Sequence, residues 1–137
     1  MAERVFLDTN VLFYAFSDDP TAATKSAIAQ EIFTEPFEIS VQVLNEFASA
    51  SRKKHGKDLA VIEGLVADIV EVSDVIHPVT LDVHIKGLRL AMRHGFQFYD
   101  AVLIASALKA ECNIFASEDM QDGMVIEGRM TIRNPFR

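Results

Sequence analysis

The opening of the chain sets two periodicities side by side. Val5, Phe6 and Leu7 make a short continuous apolar run suited to a strand buried on both faces, and Val11, Leu12, Ala15 and Phe16 then recur at helical spacing. Between them stand Asp8, Thr9 and Asn10, one carboxylate and two small polar residues at the point where a central strand gives way to a helix. In open parallel α/β sheets the loops at the carboxyl ends of the strands converge on the ligand. A local explanation competes, because Asp, Thr and Asn are also helix-capping residues.

The pattern repeats down the chain. Asp19-Pro20 is a helix start, and the predicted helix from Pro20 to about Phe33 carries Ala23, Ala27, Ile28 and Ile32 inward until Pro36 ends it. Residues 37–41 form a second predicted strand. Ser40 then caps a helix reaching Gly56, with Val43, Leu44, Phe47 and Ala48 on its apolar face and Glu46 on the flank of that face. A helix from Asp58 to about Val72 follows, with Leu59, Ile62, Leu65, Val66 and Ile69 inward, and then a short strand over residues 75–79, where His77 beside Pro78 reads as structural. Thr80 caps a helix with Leu81, Ile85, Leu88 and Met92 on one side and Lys86, Arg89 and Arg93 mostly on the other, stopped by Gly95. From Tyr99 to about Ala110 nearly every residue is apolar, so that helix must be buried on most sides, with Asp100 in its first turn. Residues 112–117 read as a buried strand leading to Glu118-Asp119, a turn covers residues 120–123, and the tail adds one or two edge strands.

Strands alternating with helices predict an α/β fold: one domain over residues 1–137, with a central, mostly parallel sheet of four to five strands and helices on both faces. Right-handed crossovers bring the ends of the strands at Leu7, Ile39 and Phe115 to one edge. No apolar stretch approaches the ~20 residues needed to span a bilayer, and no signal peptide is evident. The one cysteine, Cys112, reads as a core thiol, and a cytoplasmic protein is expected.

Charge changes the picture. A formal net charge of −7 argues against a nucleic-acid partner, which usually meets a basic surface, unless several acids are gathered in one pocket to hold cations. The predicted topology supplies such a gathering: Asp8 after the first strand, Glu46 on the helix after the second, Asp100 at the start of the buried helix and Asp119 after the last core strand. Each has a structural alternative, Asp100 as a cap, Glu46 as a surface acid, Asp119 as a turn residue. Packed together, four carboxylates repel one another and lose hydration unless a cation joins them. Oxygen ligands without histidine or cysteine select Mg²⁺ or Mn²⁺. Thr9, Asn10 and Ser117 are placed to orient these carboxylates from behind. Arg52, Lys53 and Lys54 at a helix end, together with Arg89 and Arg93, are candidates for meeting phosphates, although cations there also complement the helix C-terminus.

Four segments then carry a resemblance. Residues 6–12 (FLDTNVL), 43–47 (VLNEF), 98–105 (FYDAVLIA) and 117–123 (SEDMQDG) resemble, in order and at fitting intervals, the successive motifs of the PIN domain, and the length and the ending TIRNPF are similar to VapC-type toxins of bacterial toxin-antitoxin pairs. The resemblance implies a Mg²⁺- or Mn²⁺-dependent endoribonuclease with Asp8, Glu46, Asp100 and Asp119 as its acidic set, a homodimer, and a small antitoxin lying over the active-site groove. It carries no role onto Asp122. The expected chemistry is in-line attack of an ion-activated water on an RNA phosphodiester, leaving 5′-phosphate and 3′-hydroxyl ends. Rival readings are a housekeeping PIN-fold RNA-processing nuclease, a catalytically silent RNA- or protein-binding scaffold, a phosphotransfer protein using Asp8, and a metal-free ribonuclease needing paired histidines among His55, His77, His84 and His94.

Overall fold

The computed structural model describes residues 2–137. Along the chain run β1 (Val5–Leu7), α1 (Thr9–Ala15), a 3₁₀ turn (Pro20–Ala22), α2 (Ala23–Ile32), β2 (Glu38–Ser40), α3 (Val41–Lys53), α4 (Leu59–Val72), β3 (Val75–His77), α5 (Leu81–His94), α6 (Phe98–Lys109), β4 (Ile114–Ala116), β5 (Val125–Ile126) and β6 (Met130–Arg133). The strands form one sheet in the order β3-β2-β1-β4-β6-β5, parallel throughout except for the β5–β6 pair. The sheet has six strands, not four to five, because both tail segments join it: β6 pairs in parallel with β4, and β5 returns along β6.

Every residue of β2 and β4 is buried, so both faces of the sheet are covered at its centre. Phe6 and Phe115 lie opposite each other on paired strands and their rings stack at 5.6 Å. Among the helices α6 is the most enclosed, with residues 101–108 all buried, as its unbroken apolar sequence requires. Glu38, a buried acid within β2, is held by Arg4 through two bonds of 3.0 and 2.9 Å and by His77 at 2.8 Å. Burial pushes its carboxyl up, but the bonds from Arg4, His77 and Cys112 together outweigh burial and hold it below the usual range. His77 thus ties strands together, and Cys112 is a buried thiol whose burial pushes it up to about 12.

Two predicted helix faces, those of α5 and α2, are rotated. In α5 the large apolar stripe faces water: Leu81 is 73%, Ile85 37%, Leu88 43% and Met92 78% exposed, while Val83, Gly87 and Leu90 are buried. Gly87 is the reason. A Cβ there would lie 3.1 Å from Val102 Cγ2 and 3.3 Å from Val102 Cα, so its absence lets α5 lie close along α6 on that face. In α2 the buried residues are Ser26 and Ala29, with Ala23 and Ala27 exposed, whereas α4 keeps its predicted face, with Ile62 and Ile69 buried and Leu65 and Val66 packed on the core, and Leu59 at its first turn projects into solvent. Alanine and valine stripes of similar strength on two sides of a helix leave the choice of face to the neighbour it packs against.

Candidate active site

The site is built at the carboxyl end of β1. Asp8 continues that strand's ladder by donating its N–H to Ala116 O at 2.9 Å, and then turns out of the sheet as the N-cap of α1. Its carboxylate, only 5% exposed, accepts from Thr9 N at 2.7 Å, Ser117 Oγ at 2.8 Å and Asn10 Nδ2 at 3.4 Å. Capping engages one carboxylate oxygen, while the other faces Ser117 and Asn10. Burial is the main cause that lifts the Asp8 pKa to about 7. The bonds from Ser117 and Thr9 oppose it, and the charges of Asp100 and Glu46 add to it.

The other three acids arrive from separate elements. Glu46, in the second turn of α3, accepts from Thr9 Oγ1 at 3.0 Å and from Gln42 Nε2 at 3.1 Å. Asp100 lies in the first turn of α6, but the cap of that helix is Gln97, whose side chain takes the Asp100 N–H at 3.2 Å and leaves the Asp100 carboxylate free of that duty. Burial first, then the charges of Glu46 and Asp119, raise the Asp100 carboxyl. Asp119 is exposed and accepts from Asn10 Nδ2 at 3.1 Å. The turn beyond it is held by Asp122, which accepts from Asn134 N at 2.8 Å. Asn10 is the shared element: its amide reaches both Asp8 and Asp119, and its carbonyl receives Glu118 N at 3.4 Å.

All four carboxylates line one cavity of about 800 Å³, together with Thr9, Asn10, Gln42, Tyr99, Lys53 and Lys54. Two of them carry a raised pKa caused partly by the others, so negative charge is concentrated there without a cation in contact. That donor set, all oxygen and uncompensated, suits a hard divalent ion. The arrangement is more open than a four-carboxylate cage: among the described residues no three His, Cys, Asp or Glu side chains are gathered closely enough to grip one ion between them. Mg²⁺ is commonly held by one or two carboxylates and keeps several waters, which is compatible with this spread.

The basic residues divide. Lys53 and Lys54 reach the acidic cavity, but Arg52 instead donates to Lys57 O at 3.1 Å and closes the end of α3. Arg89 and Arg93 line a different cavity, on α5, with Lys86 and Glu127. Histidines do not pair among the described residues: His77 bonds Glu38, while His55, His84 and His94 lie against Phe13, Phe98 and Phe96 respectively.

Several contributors went unrecognised in the sequence. Gln42, Asn45 and Ser49 reach the cavity from one side of α3, in line with Lys53, which the sequence had singled out, and form a polar stripe at helical spacing that flanks Glu46 and was legible as such. Glu118 had no local signal. Its carboxylate receives Tyr14 Oη at 2.6 Å and the Lys25 ammonium, which also lies over the Tyr14 ring. The Lys25 bond and then the Tyr14 bond hold Glu118 below the usual carboxylate range. This clasp fastens the segment carrying Ser117 and Asp119 to α1 and α2.

The fold agrees with known proteins. The PIN domain family profile matches residues 5–121. Similar solved structures include a toxin-antitoxin complex from Klebsiella pneumoniae, with 20% identity over 96% of this chain and 97% of that one and a TM-score of 0.67. Another is Mycobacterium tuberculosis VapC20, described as a sarcin-ricin loop cleaving toxin, with 20% identity over 81% of this chain and 86% of that one and a TM-score of 0.65. Rickettsia felis VapBC2, bound to a DNA fragment from its promoter, matches at 13% identity over 95% and 97% of the two chains, with a TM-score of 0.66. At these identities the likeness is one of fold. No curated protein sequence matches significantly. With the profile spanning most of its length and the sheet order and acidic cavity in place, this chain belongs to the PIN domain family, a family of nucleases.

Proposed function

We propose that the protein is a Mg²⁺- or Mn²⁺-dependent endoribonuclease and the toxin of a toxin-antitoxin pair. The observation that carries this reading is the meeting of Asp8, Glu46, Asp100 and Asp119, from four separate elements, in one cavity with Lys53 and Lys54 on its wall. The three structural neighbours, one a sarcin-ricin loop cleaving toxin and two toxin-antitoxin complexes, support RNA as substrate and a small antitoxin as partner.

Asp8 and Asp100 are the residues that would hold the principal ion. When bound, the ion supplies charge neutralisation at the phosphodiester and a more acidic water for in-line attack. The chain does the rest. Ser117 and Thr9 fix the two Asp8 oxygens, and Asn10 couples Asp8 to Asp119, so the acids keep their spacing as charge develops. Glu46, held by Thr9 and Gln42, and Asp119 accept hydrogen bonds from water and orient it. Lys53 and Lys54 draw the RNA backbone toward a cavity whose own charge would otherwise repel it. A second copy of the chain is the expected partner for the exposed α5 stripe of Leu81, Ile85, Leu88 and Met92.

The test is cleavage of single-stranded RNA with and without EDTA. Cleavage is expected only with added Mg²⁺ or Mn²⁺, and Asp8→Asn and Asp100→Asn should each lose about 10²–10³-fold in rate. Cleavage that survives chelation or both substitutions would overturn the proposal.

A further inference from the structure

One half-open aromatic ring stands in a cavity otherwise walled mainly by carboxylates, amides and lysines. Tyr99, the residue before Asp100, is 51% exposed and lines the same cavity as Asp8, Glu46 and Asp119. The other tyrosine is engaged on every side: the Tyr14 hydroxyl donates to Glu118, and its ring meets Phe136 edge-on at 4.9 Å beneath Lys25. Among the described residues Tyr99 takes part in no comparable bond. Its one ring contact is Phe98, at 5.4 Å between centroids, and Phe98 itself packs against the core and against His84. The ring is thereby seated on the first turn of the most deeply buried helix, a rigid base, with open surface toward the acids. Phe13, the second ring in the cavity, is already stacked on Phe47 at 5.0 Å.

We propose that Tyr99 is the stacking platform for an unpaired nucleobase beside the bond to be cut. The inference rests on the nuclease reading above. A base inside a double helix has both faces covered by its neighbours and has none to offer a protein ring. A base in a loop or single strand has a free face, and stacking on an aromatic side chain accepts any base because every base presents a π face. Lys53 and Lys54 share the cavity, and among the described residues neither is paired with a carboxylate, which leaves both for the phosphates flanking the stacked base. Stacking at Tyr99 also sets the register of the strand, because Asp100 follows it directly on the same helix turn.

Two arms test this. In the first, a fluorescein-labelled mixed-sequence RNA decamer is titrated with the Asp8→Asn protein in Mg²⁺, with and without a substitution at Tyr99. Tyr99→Leu, which keeps apolar bulk against Phe98, is expected to weaken single-strand binding by about ten-fold while Tyr99→Phe changes it little, and neither alters binding of the same strand in a duplex. In the second, the site that the unsubstituted protein cuts is mapped and an abasic nucleotide is placed beside it. The abasic strand should lose about ten-fold in kcat/KM with the unsubstituted protein and nothing further with Tyr99→Leu. Equal losses from the abasic nucleotide in both proteins, or unchanged binding by Tyr99→Leu, would overturn the platform while cleavage by the unsubstituted protein leaves the nuclease reading standing. Intact RNA together with Tyr99-dependent binding would remove the nuclease reading and keep the platform. An absence of RNA binding removes both.

Discussion

Asp8 sits between two demands with opposite consequences. As a cap it is satisfied by Thr9 N, yet burial and the nearby charges of Glu46 and Asp100 lift its pKa to about 7 from the 3.8 of a free side chain. Between those two values the folded protein holds a proton that the unfolded chain has released, so without a divalent ion stability falls as pH rises from about 4 to about 7 and stays low above it. At about 1.4 kcal/mol per pH unit the loss is bounded at roughly 4 kcal/mol. Asp8→Asn removes the charge while keeping an acceptor for Thr9 N. Thermal melts without metal should therefore show Asp8→Asn more stable than the unsubstituted protein at pH 8, with the gap shrinking toward pH 4. Added Mg²⁺ should raise the melting temperature of the unsubstituted protein and leave Asp8→Asn unmoved. A gap that does not vary with pH would mean that the Asp8 charge is compensated in the folded state. The residues around Asp8 explain how much of the site was readable: Thr9 and Asn10 are adjacent in the chain, but the contact of Ser117 with Asp8 spans 109 positions and exists only because β1 and β4 are neighbours.

Among the helices, α5 and α6 show how one missing side chain decides a face. Hydrophobic spacing favoured the Leu81, Ile85, Leu88 and Met92 stripe of α5, and Gly87 offered no apolar signal at all, yet the buried face runs through Gly87. A contrast of two glycines tests the reason. Gly87→Ala would set a Cβ 3.1 to 3.4 Å from Val102, including its backbone, whereas a Cβ at Gly64 in α4 meets nothing within 4 Å. Both gain helix propensity of about 1 kcal/mol, but overpacking costs ~1–3 kcal/mol where it applies. Urea midpoints are expected to fall for Gly87→Ala, by a net of about 1 kcal/mol, and to rise for Gly64→Ala. A rise in both would show that α5 and α6 are not in close apposition at Gly87.

For the molecule as a whole, the rotation of α5 leaves an apolar stripe in solvent on an otherwise acidic protein of net charge −7. Sedimentation of the purified chain should show a dimer, and Leu88→Asp with Met92→Asp should give a monomer with unchanged secondary structure. A monomeric unsubstituted protein would assign the stripe to a different partner. No helix among the described residues is long and apolar enough to cross a membrane.

The order of elements, the parallel sheet and the four acids were present in the linear chain because each depends on local signals: apolar runs at strand or helix spacing, caps at Asp8 and Thr80, the left-handed stop at Gly95 with φ +73°. What the tertiary structure alone decided was which faces of α2 and α5 are buried, which cations reach the acids, and what holds the acids in place. Arg89 and Arg93 follow α5 to a separate cavity, while Lys53 and Lys54 end at the acidic one, although both pairs look alike along the chain. The Glu118 clasp and the open ring of Tyr99 likewise depend on contacts across the fold, and pairwise contacts between distant residues leave no periodicity in the sequence to read.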